Sequence, residues 1–536
     1  MSAVFDRRQG PTQVRAAVQT AVEASEVDPW AEIEEREGPL AVGRMRLMGV
    51  YDDRQRDRFM LRVRIPGGRI SAEQLECVAG VIRDFGNGWP KDGDAHNEPD
   101  RFGEITTRQD IQVHWISFPE LPEVWRRFDE VGLTSAQACG DSMRNPTACA
   151  ADGEDVRGFL RVAPLLDEFR TFALAEESLT AFLPRKWKVV VTGCPMDCAA
   201  VKLHCLAFTP ARAADGTLGF NVHAGGGLSD SPRIADALDL FARLDQVTDT
   251  VRATLQVFRE FGDFDMKAVN RFRVLVHELG PERVTEEIRT RVASGLAGAG
   301  ESLWTGAFDD HLGVFEDRRG THFLGLCVPM GRLTDDEWVE VARLARTHGD
   351  GGVRLSQRQN LLLTGVRDVE ALLAEPFLQT YRPEADPFER AIVACTSAPF
   401  CKFAIDDMKT NGRKLVAHLQ ERLPVEGRER LEGLRIHMSG CKASCAQVQA
   451  AHVGFRATMT KDEEAYEQAL DVSLGGDLGA GRLGRWVRLE DPVSDAYDSV
   501  TEVLRAVCAG DLSLDDLTPE GVGRYFAGAT TDQGGR

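Results

Sequence analysis

The chain has 536 residues, 43% of them hydrophobic and 28% charged, enough to bury two or three domain cores, which excludes a short peptide-like protein. Its 64 basic and 84 acidic residues leave a net charge of −20, which argues against a nucleic-acid binder working by phosphate neutralisation and means that an anionic substrate needs a local basic pocket. No run approaches the roughly 20 apolar residues of a membrane span, and the opening stretch around Asp6, Arg7, Arg8, Gln9 and Gly10 lacks a leader-like apolar segment, so no membrane partner and a cytoplasmic location are expected.

Residues 1–57 are charged, with little periodic apolar pattern, and read as a surface extension. Phe59 to Ser71 reads as a strand ending at Pro66 and Gly67. Ser71 and Gln74 then have the spacing of a capping box that opens a helix. The same series recurs from His322 to Thr334, with Thr334 and Glu337 as the box. Ile105 to Ile111 matches Leu355 to Leu361, which makes Arg108 and Arg358 equivalent. Val189 to Cys198 matches Ile436 to Cys445, each a β-type apolar run leading into Gly-Cys-x-x-x-Cys, and Gly225–Gly227 and Gly475–Gly476 follow at similar distances. Matches in one order over the whole length indicate a duplicated α+β unit, whereas solenoid repeats recur at roughly 20–50 residues. The expected organisation is a first repeat at 58–292, a Gly/Ala-rich linker at 293–300, a second repeat at 301–509 and a peripheral tail at 510–536.

Twelve cysteines in a large chain expected in a reducing compartment suit metal or redox chemistry better than a disulfide framework. Cys395 and Cys401 have five residues between them and Cys441 and Cys445 have three. Thiolates from two such loops satisfy a 4Fe-4S cube, in which each iron needs one outside ligand. Zinc closed by the same cysteines is the competing reading, although the first spacing is wide for a zinc knuckle. Gly440, just before Cys441, would let backbone approach a bulky cluster. A set of buried cysteines acting as small hydrophobes is the blander alternative, and it gives no reason for pairs beside Gly and Pro in loops.

Ala394 to Cys401 and His437 to Cys445 resemble the paired cluster motifs of siroheme nitrite and sulfite reductases of the ferredoxin-dependent type. The likeness extends from about Phe59 to Gly479 and includes the duplication. It implies duplicated units with ferredoxin-like half-domains around a central siroheme and iron–sulfur site, with Cys445 bridging the cluster to siroheme. By the same resemblance Arg62, Arg144, Lys186 and Lys188 are catalytic residues of the anion pocket, and Thr106, Thr107, Arg108 and Gln109 form the loop that binds siroheme carboxylates.

The residues themselves are consistent with this. Arg62 alternates with apolar neighbours in a predicted strand, and Lys186 and Lys188 share a face on either side of Trp187. Nitrite and sulfite are anions, and adding successive electrons requires protons and positive charge nearby. Arg108 can pair with a carboxylate through two parallel hydrogen bonds; a structural ion pair is the alternative. Gly225–Gly227 could turn backbone amides toward another carboxylate.

Two features depart from the family pattern. Cys139, Cys149, Cys194 and Cys198 form a further group in the first repeat, open to reading as ligands of a second iron–sulfur cluster, as a relic of duplication or as packing, and Cys205 adds to the ambiguity. Lys188 resembles the sulfite-reducing branch, while Thr106 to Gln109 and Arg144 to Pro146 resemble nitrite reductases. The expected reaction is six-electron reduction of nitrite to ammonia or of sulfite to sulfide, with a lean to nitrite. Reduced ferredoxin is the expected donor, because no flavin or nicotinamide module is recognisable. A precorrin-3B synthase-like oxygenase is the alternative enzyme, and an iron–sulfur sensor or electron carrier the alternative non-enzyme.

Overall fold

Both expected helix starts form. Ser71 Oγ accepts from the Gln74 amide at 3.2 Å and opens the helix Ala72–Phe85, and Thr334 Oγ1 accepts from Glu337 at 3.2 Å and opens Asp335–His348. Each helix buries a stripe at helical spacing, Leu75, Val78 and Ile82 in one and Trp338, Val341 and Ala345 in the other. The computed structural model describes residues 3–55, 57–86, 101–266, 269–461 and 466–532. By internal contacts the chain divides into one unit of Met1–Gly227 with Ala235–Pro383 and a second of Leu228–Ile234 with Glu384–Arg536.

Among the described residues the first unit contains three sheets. One runs in the order Val50–Asp52, Phe59–Val63, Ile111–Ile116, Phe102–Ile105, Arg332–Thr334, and another in the order Gly313–Glu316, His322–Leu326, Leu361–Val366, Gly352–Leu355, Arg69–Ser71. The halves therefore exchange a strand: Arg332–Thr334 pairs antiparallel with Phe102–Glu104, and Arg69–Ser71 with Gly352–Arg354. In the third sheet Val189–Val191 runs parallel to Leu206–Arg212, followed by antiparallel Leu218–Ala224 and Asp236–Ala242.

In the second unit Ile392–Ala394, Ile436–Ser439 and Val453–Lys461 run parallel, and Tyr466–Leu474 and Arg485–Pro492 continue antiparallel. The duplication is visible in this topology, since Val189–Val191 and Ile436–Ser439 both run parallel to the next strand and both deliver a cysteine loop from their ends.

Three sequence expectations change. Residues 1–57 do more than wrap the surface: helices Pro11–Glu23, Trp30–Glu37 and Pro39–Leu47 place Val14, Val18, Trp30, Ile33 and Met45 in the same core as Phe59 and Phe118. Their apolar residues are sparse but large, which hid the pattern. The stretch 293–300 is stitched into the third sheet rather than loose, with Phe241 N–H donating to the Ala297 carbonyl at 2.9 Å and Gly300 N–H to Asn221 Oδ1 at 2.8 Å. The glycines at 225–227 serve packing: the Gly225 and Gly226 amides donate to the Cys205 and His204 carbonyls at 3.0 and 2.8 Å. A Cβ on Gly226 would lie 2.2 Å from the Lys202 carbonyl oxygen.

Candidate active site and metal centres

In the first unit the turn 106–110 is built by its own side chains. Thr106 Oγ1 accepts from the amides of Arg108 at 3.2 Å and Asp110 at 3.1 Å, as Ser356 Oγ does for Arg358 and Asn360 in the duplicate turn, each at 3.2 Å. Gln109 sits at φ 60° and is fully buried. Its Nε2 donates to the Leu355 carbonyl at 2.8 Å and the Gly67 carbonyl at 3.2 Å, and its Oε1 accepts from Ala148 at 2.9 Å. The Gln109 side chain thus belongs to the frame of the turn. Thr107 is half-buried on the same turn.

Arg108 donates from Nη1 to His204 Nε2 at 3.2 Å and from Nη2 to the Asn145 carbonyl. His204 Nδ1 lies 3.1 Å from the Ala200 carbonyl, which can only accept, so Nδ1 carries the hydrogen and Nε2 accepts from Arg108 and from Thr147 Oγ1 at 3.0 Å. Burial, then Arg108 and Lys188, holds this imidazole well below its ordinary value, and it stays neutral.

Arg62 is half-buried and donates to Gln112 Oε1 at 3.0 Å. Arg144 is buried, donating to the Gly140 and Ala138 carbonyls at 2.8 and 3.0 Å. Lys186 and Lys188 are half-buried on either side of fully buried Trp187, as the alternation requires.

The electrostatics of this region are those of crowded cations. Burial pushes the Arg108 guanidinium down to about 10; Asp110 opposes the shift, and Arg144 and Arg62 add to it. Burial likewise pushes Arg64 down to about 10, with Asp110 opposing and Arg108, Arg170 and Arg144 adding. Burial raises Asp110 to about 6, and Arg62, Arg108 and Arg64 restrain the rise. Among the described residues Arg64 Nε and Nη2 and Arg108 Nε are buried with no acceptor. Buried guanidinium N–H groups are rarely left this way, and anionic carboxylates would satisfy them, so the region fits a polycarboxylate cofactor beside an anion.

The second unit brings the C-terminal cysteines together. Cys395 follows the strand Ile392–Ala394 and Cys441 follows Ile436–Gly440; the Gly440 amide donates to Cys395 Sγ at 3.2 Å. Burial raises the Cys395 thiol, and Cys445, Cys441 and Cys401 all act on it electrostatically. A Cβ on Gly440 would lie 3.0 Å from the Cβ atoms of Ser397 and Ala404, so this glycine lets the two cysteine loops close on each other. Cys445 is exposed while Cys395, Cys401 and Cys441 are partly covered. The donor set fits a 4Fe-4S cluster.

The first-repeat cysteines do not gather as a set of four. Cys139 stands apart: its Sγ faces the Gly49 carbonyl at 3.6 Å, and Arg62 and Arg144 are its charged neighbours. Cys149, Cys194 and Cys198 instead meet His311, all buried, with their ligating atoms within 4.8 Å of one another. His204, Arg64 and His311 were not singled out from sequence. Arg64 lies within the repeated Phe59 to Ser71 segment but has no cationic counterpart to mark it, and His311 follows Cys198 by more than a hundred positions.

Residues 139–295 match the family described as the nitrite and sulphite reductase 4Fe-4S domain, and residues 51–88 and 315–376 match the nitrite/sulfite reductase ferredoxin-like half domain. An assimilatory ferredoxin-dependent nitrite reductase of Haloferax mediterranei is 34% identical, over 92% of this chain and 87% of that protein. A ferredoxin–nitrite reductase of Synechococcus elongatus is 34% identical over 79% of this chain and 80% of its own length. The solved structure of the Mycobacterium tuberculosis NirA protein superposes with a TM-score of 0.83 at 25% identity, covering 94% of this chain and 92% of that one.

Proposed function

This chain belongs to the nitrite and sulfite reductase family, and from that premise we propose that it reduces nitrite to ammonia with six electrons, reduced ferredoxin being the donor. When bound, siroheme supplies the iron at which the anion is reduced, and the 4Fe-4S cluster feeds it electrons one at a time. The observation that carries the reading is the crowding of Arg62, Arg64, Arg108 and Arg144 around the single carboxylate Asp110, a surplus of positive charge that suits an anion and a polycarboxylate cofactor and that an electron carrier does not need.

In this reading Arg62, Arg144, Lys186 and Lys188 hold the anion and stabilise oxygen leaving as water. Arg108, with Thr106 and Thr107, holds siroheme carboxylates, and Gln109 holds the turn in shape. Neutral His204 accepts from Arg108 and so fixes the guanidinium plane. Cys395, Cys401, Cys441 and Cys445 would hold the cluster, and Cys445, the exposed one, would also serve siroheme. Lys188 is compatible with sulfite as a second substrate; both curated relatives are named for nitrite.

We keep 58–292 and 301–509 as units of duplication rather than of packing, supported by the matched turns at 106–110 and 356–360. No helix among the described residues is long and apolar enough to cross a membrane. A cytoplasmic location suits a chain whose cysteines serve as metal ligands.

Anaerobic purification with visible and EPR spectra, iron quantification and assays on nitrite and sulfite with reduced ferredoxin tests the reading. The expected result is siroheme absorption with nitrite turnover exceeding sulfite turnover. Protein that carries no siroheme after cofactor-supplemented expression would refute it.

A further inference from the structure

We infer that Cys149, Cys194, Cys198 and His311 form a mononuclear structural zinc site, separate from the catalytic cluster. Their ligating atoms lie within 4.8 Å of one another, and Cys149 Sγ is 3.1 Å from His311 Nε2. Thiolates at about 2.3 Å from one tetrahedral zinc stand about 3.8 Å apart, so a small contraction closes the site on a single ion. Thiolates that cap separate irons of a cube must spread around the whole cube, and this set is too tight for that.

The alternatives to a metal fare poorly. A disulfide uses cysteines in pairs and would leave a buried thiol against an imidazole. All three cysteines are reduced and buried, at 2, 4 and 8% exposure, and His311 is at 1%. Ala150, Ala199, Val201, Phe323 and Leu362 surround the cysteines. Four buried protein ligands leave no position for substrate, the mark of a structural rather than a catalytic zinc.

The surroundings are those of a metal-bound histidine. His311 Nδ1 faces Asp155 Oδ2 at 3.6 Å and Asp309 Oδ1 at 3.7 Å, and Arg157 holds both carboxylates at 2.6 Å. Neither carboxylate is within hydrogen-bond distance of Nδ1, but the negative charge beside it favours the tautomer that carries the proton on Nδ1 and leaves Nε2 as the ligand. The Met196 amide points at Cys194 Sγ at 3.5 Å, as backbone does toward a charged thiolate.

The duplication explains how such a site arose. Cys149, Cys194 and Cys198 correspond to Cys395, Cys441 and Cys445, and the position equivalent to Cys401 is Asp155, six residues after Cys149 as Cys401 is after Cys395. The missing thiolate is replaced by His311 from the segment that opens the second repeat, and Asp155 stands behind that histidine. The metal would thus tie the 149–155 and 194–198 loops to the 304–311 segment, already joined where Asp197 N–H donates to the Ala307 carbonyl at 2.7 Å.

The test is elemental analysis of the full-length holoenzyme, with zinc and iron counted per chain. About one zinc is expected, lost in Cys198→Ala and in His311→Ala but retained in Cys401→Ser, which loses cluster iron instead. If those first variants fail to fold, wild-type protein grown with cobalt should show thiolate-to-cobalt absorption, and Asp155→Asn should release zinc to a chelator several-fold faster. Iron in place of zinc, or zinc-free native protein with these thiols open to alkylation after denaturation, overturns the inference. Because zinc is counted independently of siroheme and turnover, its absence in an active enzyme defeats this inference alone, and its presence in an inactive one defeats only the catalytic reading.

Discussion

Replacing Arg108 with methionine should move the empty and the siroheme-loaded proteins in opposite directions. In the empty protein the guanidinium is held at about 10 instead of 12.5 by burial among other cations, which corresponds to about 3 kcal/mol spent keeping it charged. Methionine removes that strain but withdraws a donor from the Asn145 carbonyl and from His204 Nε2, each worth about 1 kcal/mol. The difference leaves the apoprotein more stable by about 1 kcal/mol, a rise of about 2 °C for a unit of this size. In the loaded protein the same change would remove the proposed charge-assisted bond to a siroheme carboxylate, about 1.5–3 kcal/mol, so siroheme retention should fall roughly 10- to 100-fold. Calorimetry on protein from a siroheme-deficient host, with absorbance after dialysis of the loaded form, measures both. An apoprotein that melts several degrees lower, with retention unchanged, would show that Arg108 is a structural cation and not a cofactor ligand.

Three further outcomes are expected. Gly440→Ala forces a Cβ to 3.0 Å from Ser397 and Ala404; it should cost about 1–3 kcal/mol and lower cluster iron while leaving the His311 site intact, as metal counts will reveal. His223 is half-buried and held down to about 4, by loss of solvent first and then by Lys202, so the folded protein keeps it neutral while the unfolded chain takes up a proton below about 6.5. Stability should therefore drain as pH falls from 6.5 and level off below 4, and His223→Gln should lose about 2 kcal/mol less than wild type between pH 7.5 and 5 in urea unfolding; equal losses would contradict the assignment. Lys188→Asn should lower sulfite turnover more than nitrite turnover, since a second positive charge favours the more highly charged anion, and steady-state assays showing equal effects would defeat that charge argument.

The duplication, the capping boxes at Ser71 and Thr334 and the C-terminal cysteine pairs were legible because each is a local pattern of fixed spacing. The half-buried placement of Arg62, Lys186 and Lys188 followed from their alternation with apolar residues. What stayed hidden depends on distant chain segments. His311 has no local signal because its partners lie in the other repeat, and Cys139 looked like one of a set only by proximity in sequence. The partners of Gln109, at Gly67, Ala148 and Leu355, are likewise set by tertiary packing. The three-residue strands Arg69–Ser71 and Arg332–Thr334 looked like joints between a longer strand and a capped helix, and only the folded chain shows which sheet each completes.

That exchange bears on how the protein came to be one chain. Each half-sheet is finished by its sister's edge, so neither half presents a closed fold when severed from the other. Two identical ancestors could have met the same need by swapping edges as a symmetric pair. Within one chain the two copies need not stay alike, and their cysteine loops differ accordingly: Cys401 in one stands where Asp155 stands in the other.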